Sequence, residues 1–148
     1  MTISRAMATT IQTIRDDFSL LDEWEDRYRY VIELGEALPP FPDAERNAAN
    51  KVPGCVSQVW LTTNRAPGAD PVITFTGDSD AHIVRGLVAI MLALFSGRTA
   101  SQILETDAEA TLRSLGLDEH LSPQRANGLR SMVKRVKRDA EMALKQTA

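Results

Sequence analysis

The chain has 148 residues, 17 Lys and Arg against 20 Asp and Glu for a formal net charge of −3, and a single cysteine. That length suits one ordinary domain with a core large enough to fold without staples. One cysteine excludes an intramolecular disulfide and any all-cysteine zinc or iron–sulfur site within one chain, and a free thiol points to a reducing compartment, here the cytoplasm.

Taken in chain order, residues 1–15 hold arginines, serine and threonines but no acid, a faint likeness to a transit peptide. The run is short and lacks the apolar segment of a secretory signal, so it reads as an ordinary soluble N-terminus leading into a first helix. Phe18, Leu21, Trp24, Tyr28, Val31, Ile32 and Leu34 then recur at spacings near three and four. That pattern predicts an amphipathic helix ending by Pro39-Pro40, its aromatic residues core rather than a ligand box. A polar stretch from Pro42 to Asn50 leads to Cys55, which follows Pro53-Gly54 where a turn passes into a strand. Proline fixes its own φ and glycine admits conformations closed to other residues. Such a junction can present a sulfur from a loop, whereas a filler cysteine usually sits inside an apolar pattern.

Val59 and Leu61 share one strand parity, and Gln58, Trp60 and Thr62 the other. After turn material from Arg65 to Pro71, Ile73 and Phe75 fall on one face. An antiparallel hairpin follows, with Val59, Leu61, Ile73 and Phe75 towards helices and a threonine-rich face partly solvated. Trp60, on that second face, reads as a packing residue ahead of a partner contact. Gly77-Asp78-Ser79-Asp80 is expected to break the second strand at its glycine and to cap the next helix. That helix is predicted from about Ala81 to Ser96 with Gly97 as its stop. It is apolar around most of its circumference, as a central buried helix would be. No apolar stretch reaches membrane-spanning length. Thr99 and Gln102 have capping-box spacing for a short helix. Another short helix, Ala108 to Leu115, stops at Gly116, and Ser122 with Pro123 opens a long final one. On this last helix Leu129, Met132, Val133, Val136 and Ala140 form the inward stripe, with Arg130, Lys134, Lys137 and Arg138 outward. With no βαβ alternation and no internal repeat, the fold class is α+β: a small antiparallel sheet packed against helices.

The usual catalytic signatures are missing: there is no P-loop, dinucleotide fingerprint or nucleophile elbow. His82 and His120 have no visible clustering of further metal ligands, and no local signature supports a cysteine–histidine pair. Asp78 and Asp80 look like paired carboxylates, but capping explains them better than acid–base work. Charge is polarised. Residues 16–45 hold ten acids against Arg27 and Arg29, and residues 125–145 hold seven bases against Asp139 and Glu141. Such asymmetry can orient a protein partner. Nucleic acid is not the expected partner, because the base-rich face has no interleaved aromatic residues. The thiol remains. A lone thiol cannot resolve its own oxidised form, but it can accept a group from another protein's thiol adduct and pass it on.

Lys51-Val52-Pro53-Gly54-Cys55-Val56-Ser57-Gln58-Val59-Trp60 closely resembles the SufE/CsdE family of cysteine desulfurase sulfur acceptors. So do Gly77-Asp78-Ser79-Asp80-Ala81-His82-Ile83-Val84-Arg85-Gly86-Leu87 and Leu121-Ser122-Pro123-Gln124-Arg125-Ala126-Asn127-Gly128-Leu129, in the same order and at similar spacing. The likeness runs from about Phe18 to Lys137. It implies a single SufE-like domain over residues 1–148, with 1–15 a poorly defined N-terminal segment, and a fold shared with iron–sulfur scaffold proteins of the IscU and NifU type. It implies that a pyridoxal-phosphate cysteine desulfurase of the SufS/CsdA kind holds sulfur as a persulfide and passes it to the loop cysteine, Cys55 here. The acceptor stimulates that desulfurase and hands the sulfur to an iron–sulfur scaffold, acting as an activator rather than a stand-alone enzyme. The cofactor belongs to the desulfurase, so none is implied for this chain, and no metal. The family's acceptor loop is thought to switch between shielded and extended arrangements, and Pro53-Gly54 is compatible with that. Arg125, Asp78 and Asp80 lie in the matching blocks, with partner docking or loop packing as implied roles beside their capping and helix-surface explanations. The alternative reading is a regulatory docking module for a desulfurase without sulfur carriage.

Overall fold

The computed structural model describes residues 10–55 and 57–146. Two helices come first, α1 (Ile11–Ser19) and α2 (Trp24–Glu36), where the periodicity predicts one. Thr10 caps α1 by accepting from the Thr13 N–H at 3.1 Å. The break has a local cause. Ser19 Oγ donates to the Asp16 carbonyl at 2.6 Å, and Arg27 of α2 donates to the Phe18 and Leu21 carbonyls at 3.1 and 2.8 Å. The carbonyls left open at the end of α1 therefore find donors without the helix continuing. Phe18 still meets Trp24 and Tyr30 edge-on at 6.3 and 5.7 Å, so both helices turn one apolar stripe to the same core and the spacing survives the break. Residues 10–15, expected in a poorly defined segment, carry the start of α1 with Ile11 and Ile14 buried; residues 1–9 lie outside the described residues.

The sheet has the order β1-β2-β3, all antiparallel, formed by β1 (Val59–Arg65), β2 (Val72–Ser79) and the two-residue β3 (Arg98–Thr99). Val59, Leu61, Ile73 and Phe75 are buried, as their parity predicts. Two expectations change. β2 does not break at Gly77 but continues through Ser79, because Gly77, Asp78 and Ser79 pair with Leu61, Trp60 and Val59. Trp60 is buried as well, so both faces of β1 are covered at its start. The incoming chain folds back over it: Val52 N–H donates to the Val59 carbonyl and Leu61 N–H to the Asn50 carbonyl, at 2.8 and 2.9 Å. Phe41 is buried beside it, and the Arg46 guanidinium lies 5.5 Å from the Phe41 ring and 6.0 Å from the Trp60 ring.

Helix α3 (His82–Phe95) is the central buried helix its composition predicts, with Leu87, Val88, Ile90, Met91 and Phe95 almost fully enclosed. It crosses α2 where Gly86 meets Val31: a Cβ on Gly86 would run into the Val31 carbonyl. Opposite it, a Cβ on Gly35 would sit 2.6 Å from the Gly86 nitrogen. Thr99 and Gln102 do form the capping box of α4 (Ala100–Glu105). Helices α5 (Ala108–Ser114) and α6 (Leu117–His120) follow, the second not anticipated, and α7 (Pro123–Gln146) closes the fold. His120 is at the surface, stacked on Trp24 at 3.9 Å. Leu129, Met132, Val136 and Ala140 of α7 are buried and Val133 partly so. Lys137 does not point outward. Its ammonium donates to the Thr106 and Leu104 carbonyls at 2.7 and 3.4 Å, because the end of α4 leaves carbonyls that a long cation can reach.

Candidate functional site around the Cys55 loop

The loop carrying Cys55 is tied down on both sides by the end of β2. On its upstream side, Asp78 accepts from Arg46 at 2.6 Å and from Arg85 of α3 at 2.8 Å. On its downstream side, Asp80 accepts from the Gln58 N–H at 3.0 Å and from its side-chain amide at 3.3 Å, while Asp80 N–H returns a bond to the Gln58 carbonyl. Neither aspartate caps α3, as the sequence alone suggested. The α3 N-cap is Ala81, without a side-chain cap bond, and Ser79 Oγ accepts from the Ala81 N–H. Apart from Arg85 of α3, the carboxylates instead meet donors brought in by the loop, which no local pattern encodes.

Asp78 is buried, with about 6% of the residue exposed. Burial alone pushes its carboxyl up, but the hydrogen bond from Arg46, with the Ser79 N–H and Arg85, holds it below the ordinary carboxylate value. A lowered folded value means the contribution to stability is present above the unfolded carboxyl's pKa and lost as pH falls through the folded one. Asp78→Asn is therefore expected to cost about 2 kcal/mol at pH 7, less than for a fully enclosed pair because both arginines stay about one-third exposed. In urea unfolding the deficit should shrink at a pH below that lowered folded value, where the wild type has lost the same charge. An equal deficit at both pH values would mean the ion network is not what Asp78 contributes.

Gly54 has φ of 89°, the left-handed region, and packs so closely on α7 that a Cβ there would collide with Ser131. This turn drops Cys55 beside the first turns of α7. Its S–H donates to the Gly128 carbonyl at 3.6 Å, and the sulfur packs close to Gly128, where an added Cβ would lie 3.5 Å from it, an ordinary van der Waals contact. Cys55 is half-buried, and burial pushes its thiol above the ordinary value. The thiolate, which is the nucleophile, is thus suppressed while the sulfur lies here. Alkylation by iodoacetamide should rise with pH to a midpoint above that of a free cysteine, and the midpoint should fall back in urea. A native midpoint at the free-cysteine value would place the sulfur in solvent rather than against α7.

The sulfur borders a small cleft, open to solvent and lined by Ser57, Val84 and Leu87 of α3, and Gln124, Arg125, Gly128 and Met132 of α7. Arg125 is braced from α2, where its guanidinium donates to the Tyr28 hydroxyl and lies 5.9 Å from that ring's centroid. Of the residues singled out from sequence, Cys55 and Arg125 share this cleft and Asp78 and Asp80 anchor its loop. His82 and His120 do not line it. Sequence reasoning missed Tyr28, Arg46, Gly128 and Met132. Gly128, inside a helix where glycine costs stability relative to alanine, is the one that carried a usable signal.

The chain that carries this half-buried thiol has recognisable relatives. It matches the SufE family, described as an Fe-S metabolism associated domain, over residues 12–140. The chain belongs to the SufE family. Membership carries a coarse functional class, sulfur handling in association with a cysteine desulfurase. An uncharacterized SufE-like protein of Rhizobium meliloti (strain 1021) is 61% identical over 134 residues, 90% of this chain and 96% of that relative. Another, of Rhizobium etli, is 55% identical over 139 residues, covering 93% and 94%. The solution structure of a hypothetical protein from Thermus thermophilus superposes with a TM-score of 0.71 at 20% identity, over 91% of this chain and 96% of that one, which establishes the fold. Among the described residues no helix is long and apolar enough to cross a membrane.

Proposed function

We propose that this SufE-family protein is a sulfur carrier, with Cys55 as the acceptor. Its thiolate attacks the outer sulfur of a persulfide on a cysteine desulfurase. The bond between the two donor sulfurs breaks, the desulfurase cysteine leaves as a thiolate, and Cys55 ends one sulfur longer. Unloading to an iron–sulfur scaffold repeats the exchange with Cys55 as the leaving group. The desulfurase is stimulated because its own cysteine is cleared for another turnover.

The observation that carries this reading is the placement of the chain's sole thiol, half-buried on a loop tied at both ends and seated against an apolar cleft. Such a seat keeps small thiols away from a bound sulfur. It also suppresses the thiolate, so acceptance requires Cys55 to leave the Gly128 carbonyl when the desulfurase docks. Reaction in a reducing cytoplasm would keep the free thiol available. The test is mass spectrometry after incubation with a cognate desulfurase and L-cysteine, without reductant. One added sulfur atom on the Cys55 peptide, removed by reductant and dependent on the desulfurase, is the expected result. No added sulfur beside an active desulfurase would leave the second reading, a docking module, which draws on the acid-rich 16–45 stretch and the base-rich 125–145 stretch.

A further inference from the structure

The lining of the Cys55 cleft is apolar along α3, through Val84 and Leu87, and at Met132 of α7. Its polar members are Ser57, Gln124 and Arg125, and Arg125 is the one cation among the lining residues. This arginine is held from two sides. Its backbone N–H donates to Ser122 Oγ at 3.3 Å, and its guanidinium is bonded to the Tyr28 hydroxyl over the face of that ring. Among the described residues no carboxylate pairs with it. A guanidinium has five N–H donors, so most remain for another acceptor. α3 and the loop bring no other charged group to the lining, and Asp80 at the end of β2 is engaged by Gln58.

The unloaded thiol makes no use of that cation, because its proton goes to the Gly128 carbonyl. A persulfide differs in two ways. Its outer sulfur stands one bond further out than the atom bonded to Gly128, and it is a stronger acid than the parent thiol. An anion entering an apolar cleft needs a partner to offset its desolvation. We infer that Arg125, held by Tyr28 as its positioning residue, is the counter-ion of the outer sulfur when Cys55 carries a persulfide. The inference rests on the carrier reading and deepens it. The empty and loaded states of Cys55 are held by different groups, the Gly128 carbonyl for the thiol and the Arg125 guanidinium for the persulfide. Loading therefore tightens the seat, and the carrier keeps its sulfur in transit.

The test loads Cys55 without any desulfurase. An aryl disulfide is formed on Cys55, and hydrosulfide then attacks the Cys55 sulfur, expels the aryl thiolate and leaves the residue one sulfur longer. The pH dependence of iodoacetamide alkylation of the outer sulfur, read by mass spectrometry, gives its ionisation midpoint. Arg125→Gln is expected to raise that midpoint by about 1 unit, Arg125→Lys to leave it near the wild type, and Tyr28→Phe to raise it part of the way. The midpoint of the unloaded thiol should move less than half as far. An unchanged persulfide midpoint in Arg125→Gln overturns the proposal. So do equal shifts of thiol and persulfide, which would make the arginine a general field rather than a partner of the outer sulfur. An unshifted Tyr28→Phe removes Tyr28, and it decides against the proposal if circular dichroism shows that Arg125→Gln does not fold. Since the sulfur is placed chemically, failure of desulfurase-dependent loading strikes the carrier reading and leaves this measurement standing.

Discussion

Cys55→Ser is expected to abolish sulfur acceptance from a cysteine desulfurase while changing unfolding free energy by less than about 1 kcal/mol. The asymmetry follows from what the sulfur does in the fold. It is half-buried, makes one long contact with the Gly128 carbonyl, and lies at the edge of the core rather than within it. A serine hydroxyl can donate to the same carbonyl, so the loop keeps its seat, but it cannot form or release a persulfide. The measurement is the added-sulfur mass on the residue-55 peptide beside a urea melt. Should the serine variant still accelerate sulfur release to the wild-type rate under reductant-poor conditions, the carrier reading fails. Charge reversals in the 16–45 or 125–145 stretches would then be the substitutions that lose stimulation.

Gly86→Ala is expected to destabilise the protein by about 3 kcal/mol or more, against the usual trend for a helical glycine. Helix propensity alone would make alanine better by about 1 kcal/mol. Packing decides the sign here. The new methyl would collide with the Val31 carbonyl and press on the Val31 side chain, both at the crossing of α2 and α3, and a backbone carbonyl in a helix cannot step aside. The effect should reach the site, since α3 also carries Val84 and Leu87 into the Cys55 cleft. Sulfur loading per folded molecule should fall along with the urea midpoint. A raised midpoint would mean that α2 and α3 are not in backbone contact at Gly86.

How much of this was legible beforehand depends on the range of the interaction. The alternation of Val59 and Leu61 with their neighbours, and of Ile73 and Phe75, placed one sheet face in the core. The capping box at Thr99 and the Ser122-Pro123 start of the last helix were readable because a cap bond spans only three residues. Periodicity could not show the break between α1 and α2, because both helices keep one apolar stripe while Arg27 satisfies the carbonyls at the gap. β3 was invisible for a different reason: two residues hold no period.

The order of residues was enough for the α+β class, the apolar faces, the Pro-Gly junction that presents Cys55, and, through its blocks of likeness, the SufE family. Those are properties of neighbours along the chain, or of a motif taken whole. What the polar groups do was set by packing in three dimensions. Asp78 became the buried partner of Arg46, 32 residues away, instead of a helix cap. Trp60 was covered by the returning loop, and Lys137 became a cap for α4. The seat of Cys55 was made by Gly128, 73 residues on, with Arg125 braced by Tyr28 from across the fold. A buried charge or thiol takes its chemistry from whichever groups the fold packs around it, and such groups need share no pattern along the chain.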